Sequence, residues 1–378
     1  MKARLYTAPR GVRVGTIDPN KMRTMLKPLH GRGASDNPPN RFEHEWQCPD
    51  PDLAEAEEPA PTTQFLPDNT QTIISTNDSP DVGPGATLNP YRGCEHGCIY
   101  CYARPTHEYL GFSAGLDFET KILVKLKAPE LLREELQSPK WRPQVVAMSG
   151  VTDPYQPAER RFQLTRRCLE VFAEFRNPVT ILSKNLLVMR DIDVLQELAR
   201  HQAIAVFLSV TSLRGELQKV MEPRTAHPQG RLAAIEALSR AGIPVGVNVA
   251  PVIPGLTDHE LPAIVAAAAR AGARFAGCVP LRLPHGVAHL FEQWLTQHFP
   301  DRAEKVLHRI RSIRGGRLND PNFGSRMRGS GPFAQLMRQL LATACEKAGM
   351  EPRGPHLSTA AFRRPPTGQT LPFPGDDS

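Results

Sequence analysis

The run Asn89-Pro90-Tyr91-Arg92-Gly93-Cys94-Glu95-His96-Gly97-Cys98-Ile99-Tyr100-Cys101-Tyr102 decides how this 378-residue chain is read. Its cysteines, Cys94, Cys98 and Cys101, are spaced C-x3-C-x2-C. Three thiolates within eight residues can converge on one point and leave a fourth coordination position without a protein ligand, which is where metal chemistry takes place. Gly93 and Gly97 add no Cβ and let such a loop wrap closely around what it holds. Tyr100 puts an aromatic face beside the open position.

Three occupants compete for this loop. Zinc would need a fourth ligand, which His96 or His107 could supply, but structural zinc sites pair two short knuckles and no second C-x2-C exists. Cys48, Cys168, Cys278 and Cys345 stand alone. A redox pair of Cys98 and Cys101 would leave Cys94 idle. A [4Fe-4S] cluster uses all three thiolates and keeps one iron open for a small ligand.

Outward from the loop, β-branched runs alternate with amphipathic patterns. Strands are predicted at 145–149, 179–183, 203–210, 245–251 and 274–280, with one more before Cys94. Leu164, Cys168, Val171, Phe172 and Phe175 fall on one stripe at helical spacing. Helices are predicted at 191–200, 228–241 and 258–271, the last two closed by Gly242 and Gly272. Alternating strands and helices make a parallel sheet of about six βα units, either open or curled into a partial barrel, with the site at the strand C-terminal ends.

The ends differ. Thirteen of the 37 prolines lie in residues 1–90 and six in residues 351–378. Both ends are expected to be largely extended or disordered. The words Gly31-Arg32-Gly33-Ala34, Asn37-Pro38 and Arg41-Phe42-Glu43 suggest a strap over the core. The expected division is 1–84 arm, 85–290 core domain, 291–350 helical extension and 351–378 tail. No stretch is apolar enough to span a membrane, and crowded free cysteines fit a reducing cytoplasm. The formal net charge is +7, and residues 309–328, from Arg309 to Arg328, hold six arginines and one acid. That region is a candidate nucleic-acid contact, and its glycines suggest a loop over the barrel mouth where Arg326 or Arg328 meets an anion. The helical stripe Phe333, Leu336, Met337, Leu340, Leu341 and Ala344 should pack beside the barrel.

The cysteine motif, with Thr152-Asp153-Pro154-Tyr155-Gln156 and Val249-Ala250-Pro251-Val252-Ile253-Pro254-Gly255, resembles the radical S-adenosylmethionine (radical SAM) superfamily, in its branch related to spore photoproduct lyase, over roughly residues 85–290. The resemblance implies a partial (β/α)6 barrel. It also implies a [4Fe-4S] cluster on Cys94, Cys98 and Cys101 that cleaves SAM reductively to a 5′-deoxyadenosyl radical, and an electron donor of flavodoxin or ferredoxin type. On the same footing, Tyr100 would lie by the open iron. Ser149, Gly150, Thr152 and Asp153 stand where the family holds the SAM amino group, although the usual Gly-Gly-Glu is absent. Lys184 would meet the carboxylate, Ser209 and Thr211 the ribose, and the backbone of Val252 and Ile253 the adenine; Arg224 could pair with a carboxylate. Tyr155 and Cys278 are candidates for a radical relay or hydrogen donor. No cysteine lies between Cys101 and Cys168, where the resemblance would place the lyase's hydrogen-donating cysteine, so lesion repair does not carry over. The alternative is a non-catalytic Fe–S or zinc module binding nucleic acid through 309–328.

Overall fold

The computed structural model describes residues 27–42, 61–81, 83 and 85–366. The remaining parts of the predicted arm and tail, with Cys48 and Glu43, lie outside the described residues. Among the described residues, ten short strands form two sheets: β1 (Gln64–Pro67), β2 (Ile74–Thr76), β3 (Ala86–Leu88), β4 (Tyr91–Arg92), β5 (Lys121–Val124), β6 (Val146–Met148), β7 (Val179–Ser183), β8 (Ile204–Ser209), β9 (Val245–Val252) and β10 (Phe275–Pro280).

The main sheet runs β10-β9-β8-β7-β6-β3-β2. Its six strands from β3 to β10 are parallel and stand in chain order, each step made by a helical crossover. This is the predicted partial (β/α)6 barrel; β10 and β2 are its edges and do not pair with each other. Two parts were not expected: β2 adds an antiparallel edge, and β1, β5 and β4 make a small second sheet behind the cysteine loop.

Burial shows why the barrel holds together. In β7, Val179, Ile181 and Ser183 are buried, while Thr180 and Leu182 between them keep solvent access; β6 and β3 repeat the pattern. The period of two sets Val146, Val179 and Ile181 in the core shared with the helices and turns Ala147, Thr180 and Leu182 to the opposite face. The helix Leu164–Phe175 buries its whole predicted stripe, Cys168, Val171, Phe172 and Phe175 in this outer core and Leu164 against Tyr91, Ile122 and Val124. Complete burial of a Val, Leu or Phe contributes about 1.5–3 kcal/mol.

The C-terminal end corrects the expectation of disorder for residues 351–366. They run under the barrel, bonding in turn to Arg274 and Ala276 at the start of β10, Gln202 before β8, Phe175 before β7 and Trp141 before β6. A Cβ on Gly354 would stand 2.7 Å from the ring of Phe207, so this segment floors the lumen. The helix Gly331–Ala348 packs on β10 and on the helix Leu261–Arg270, as predicted, but Leu336 points to solvent.

Candidate metal centre and active site

The cysteine loop leaves the C-terminal end of β3 and is shaped by backbone bonds: Cys94 N–H donates to Phe118 O at 2.9 Å, Cys101 N–H to Cys98 O at 3.2 Å, and Ile99 N–H to Met221 O at 3.1 Å. Cys94 and Cys98 are buried and Cys101 is half-buried. All three are free thiols in one electrostatic neighbourhood. Burial, with Glu222, pushes the Cys98 thiol well up, and burial, with Cys94, raises Cys101. A metal centre would draw those protons off on binding. Among the described residues, no three His, Cys, Asp or Glu side chains stand close enough to share one metal ion. Thiolates on a single zinc each lie about 2.3 Å from it and so crowd together; a cubane of four irons holds its thiolates farther apart. Three free thiols on one loop are a donor set of the kind that iron–sulfur clusters take.

Around Cys98 the strand ends gather a buried polar network. Tyr100 OH donates to a carboxylate oxygen of Glu222 and lies 3.3 Å from Thr211 Oγ1. Thr211 Oγ1 donates to Glu222 at 2.8 Å. Arg231, in the helix Pro228–Arg240, pairs with the other oxygen of Glu222 and donates to Ser209 O at 2.8 Å and Ala226 O at 2.8 Å. Lys184, just past β7, sets its Nζ 6.0 Å from the centre of the Tyr100 ring. Burial opposes its charge, but Cys98 and Glu222 outweigh burial and raise the pKa. The structure thus brings Tyr100, Lys184, Ser209 and Thr211 together. Glu222 and Arg231, which join them, escaped sequence reading because two charges nine positions apart look like solvated surface.

Ser149 and Gly150 end β6, next to Asn89, whose Oδ1 accepts from Val151 N–H at 3.3 Å. Thr152 and Asp153 are tied into the scaffold. Thr152 Oγ1 donates to Gly93 O at 2.6 Å. Asp153 accepts from Ser183 Oγ at 2.8 Å, from Lys184 N–H at 2.8 Å and from Tyr155 N–H at 2.9 Å, and faces His96 Nδ1 at 3.3 Å. Burial disfavours the charge of His96, yet the Asp153 carboxylate and Cys94 hold its pKa up at about 9.

The other candidates differ in placement: Ile253 shares an apolar cluster with Cys98 and Tyr100, and Arg224 N–H donates to His96 O at 3.2 Å, whereas Tyr155 and Cys278 lie in the helix layer. Arg224 pairs with Glu95 at 3.1 Å and donates to Thr63 at 3.3 Å, not to Glu222. Tyr155 is fully buried in the helix layer and donates to Asp191 at 3.0 Å. Cys278 sits toward Cys345 of the last helix, away from the lumen; burial, with Cys345, raises it to about 11. Val252 O accepts from Leu281 N–H at 2.9 Å, and Ile253 N–H donates to Thr257 Oγ1 at 2.9 Å, so both backbones are already engaged.

The region 309–328 is a staple across the open side of the barrel. Arg314 donates to Pro280 O, Leu281 O, Ser325 O and Arg326 O at 2.6–3.1 Å, fixing the loop to the end of β10. Arg326 reaches Asp81 and Ser79 of the β2–β3 hairpin, both at 2.6 Å. Arg309 pairs with Asp258 at 3.5 Å and Arg311 with Glu292 at 3.5 Å. Four of the six arginines are thus internal ties. No described helix is long and apolar enough to cross a membrane.

Comparison with known proteins agrees with this geometry. The profile of the Radical SAM superfamily matches residues 88–268. An uncharacterized protein of Mycobacterium tuberculosis is 41% identical over 217 residues, 57% of this chain and 64% of its own length. An uncharacterized protein of Methanocaldococcus jannaschii is 32% identical over 179 residues, 47% of this chain and again 64% of its own length. A radical SAM Nα-GlyT isomerase of Pseudomonas phage M6 is 28% identical over 173 residues, 45% of this chain and 34% of its own. The match thus spans less than two thirds of each relative. Among solved structures, a spore photoproduct lyase mutant with bound AdoMet and dinucleoside spore photoproduct superposes with a TM-score of 0.55 at 16% identity, covering 76% of this chain and 80% of that one. Residues 88–268 thus match the profile of the Radical SAM superfamily, and the chain shares the fold of spore photoproduct lyase, with its cysteine loop at the end of the first parallel strand.

Proposed function

We propose that the chain is an enzyme holding a [4Fe-4S] cluster on Cys94, Cys98 and Cys101 and binding SAM across the adjoining strand ends. The observation that carries this reading is the set of three free cysteines on one loop at the end of β3, with Tyr100, Lys184 and Thr211 gathered beside Cys98. When bound, the reduced cluster supplies the electron that cleaves SAM to methionine and a 5′-deoxyadenosyl radical, which abstracts hydrogen from a substrate.

The protein's own residues bind and orient. Lys184 Nζ donates no hydrogen bond among the described residues, and its raised pKa keeps it charged for a carboxylate. Ser149 and Gly150 offer polar groups at the end of β6 for the amino group. Thr152 and Asp153 act one step back, holding the cysteine loop and the Lys184 backbone. Ser209 and Thr211 lie on the ribose side, and Val252 and Ile253 form an apolar wall for the adenine. Glu222 and Arg231 fix the Tyr100 ring. An electron donor of flavodoxin or ferredoxin type completes the system, as radical SAM enzymes in general require one.

For the substrate, a nucleic acid draws support from the dinucleoside bound by the fold neighbour. Within the chain, the region 309–328 lends it less than its composition suggested, since Arg309, Arg311, Arg314 and Arg326 serve internal contacts. Repair of the spore lesion itself is not carried over, because the stretch between Cys101 and Cys168 has no cysteine. Anaerobic loading with iron and sulfide tests the cofactor reading. About four irons per chain are expected, falling sharply in Cys98→Ala; a chain that takes up zinc alone sinks it.

A further inference from the structure

The segment 31–40 is built against the cysteine loop more closely than a surface strap requires. A Cβ on Gly33 would lie 1.7 Å from Gly97 O and 3.3 Å from Ile99 N, so no side chain fits where its backbone crosses the loop between Cys94 and Cys98. Ala34, fully buried, belongs to the apolar group that contains Cys98, Ile99 and Tyr100. The strap is pinned by Glu119. This carboxylate accepts from Gly33 N–H at 3.1 Å, Ala34 N–H at 2.9 Å and Arg104 Nη2 at 2.5 Å. Arg104 in turn donates from Nε to Cys98 O at 3.0 Å and from Nη1 to Ala114 O and Gly115 O at 3.2 and 3.0 Å. Glu119 and Arg104 are both fully buried. The far end of the strap is held as firmly: Leu116 N–H donates to Asp36 O at 3.0 Å, Ser113 Oγ to Pro38 O at 2.6 Å, and Asn40 Nδ2 to Glu108 O at 2.9 Å.

We propose that the segment 31–40 is a working part of the metal centre: a cover that holds the cysteine loop closed over its cluster, with Glu119 as the positioning residue that couples cover to loop. The inference rests on the cluster reading above. A thiolate releases iron when its loop opens, so whatever holds the loop shut sets the rate of loss. Glu119 and Arg104 link the strap amides to the carbonyl of Cys98 in one chain of hydrogen bonds. A buried donor left without its acceptor costs about 1–3 kcal/mol, roughly a five-fold to 150-fold change in opening.

The test follows iron release to a chelator under anaerobic conditions, and hydrogen exchange at the amides of Gly33 and Ala34, in wild type, Gly33→Ala and Glu119→Gln. Gly33→Ala pushes the strap off the loop. Glu119→Gln keeps the shape but turns its NH2 toward Gly33 N–H, or in the other orientation toward Ala34 N–H and Arg104, so at least one strap amide loses its acceptor. Both variants are expected to exchange these amides faster and to lose iron about five-fold faster or more. Leu198→Ala, a cavity in the distant helix layer, is expected to lower Tm and leave iron loss unchanged. Faster exchange with unchanged iron loss would overturn the proposal, as would unchanged exchange in both variants, or an equal acceleration in Leu198→Ala. A wild-type chain that takes up no iron and sulfide would instead overturn the cluster reading itself, and the proposal with it.

Discussion

Glu222 shows how much one residue can organise here. It is 1% exposed, and it pairs with Arg231 on one side and accepts from Tyr100 and Thr211 on the other. Burial opposes its charge, but Arg231 and Lys184 hold its pKa below the usual carboxylate value. Removing one partner of a buried ion pair leaves the other uncompensated. Replacing Glu222 by Gln is therefore expected to destabilise the fold by about 3–5 kcal/mol, and Tyr100→Phe by about 1–2 kcal/mol, both read by denaturant unfolding of the metal-free chain. The cysteines were legible because three thiols at C-x3-C-x2-C have few other uses. Glu222, Arg231, Arg104 and Glu119 were not, since a charge that will be buried against a partner looks the same in sequence as one in water.

Among the elements, the strands read most clearly from sequence. β7 falls at 179–183 as predicted, because Val-Thr-Ile-Leu-Ser alternates buried and accessible positions and lies between polar turns. The edge strand β2 and the small sheet around β5 were missed; strands of two to four residues leave too short a pattern to detect. The arginine-rich loop was only partly legible, for a different reason. Its charge suggested an outside partner, whereas Arg314 is 3% exposed and satisfies backbone carbonyls that the barrel's open edge leaves free. Burial lowers its pKa to about 10, still charged at neutral pH. Arg314→Ala is expected to release the staple: limited proteolysis should cut within residues 315–330 at least about ten-fold faster than in wild type, while far-UV circular dichroism stays the same. An unchanged cleavage rate would mean that Arg326 and Asp81 hold the loop alone.

At the scale of the molecule, the fold is a partial barrel with two free edges, floored by residues 351–366, and the proposed site lies at one end. Its acid stability should bear the mark of His107, once a rival metal ligand. Its Nε2 lies 2.9 Å from Lys121 O, and burial lowers its pKa to about 4 against an ordinary 6.5. The native state thus favours the neutral ring. Between pH 6.5 and 4 the unfolded chain binds the extra proton, so stability is intact above 6.5 and falls as pH drops, by up to about 3 kcal/mol. In denaturant unfolding from pH 7 to pH 4, His107→Gln should flatten that slope; an identical slope would remove His107 from the account. The central claim is that the cysteine loop and the strand ends form one radical-generating site. It is tested most directly by incubating the iron–sulfur-loaded chain anaerobically with SAM and dithionite and measuring 5′-deoxyadenosine and methionine. The account predicts both products in equal amounts from wild type and neither from Cys98→Ala. A fully loaded wild type that forms no 5′-deoxyadenosine, or a variant that forms as much, would contradict it.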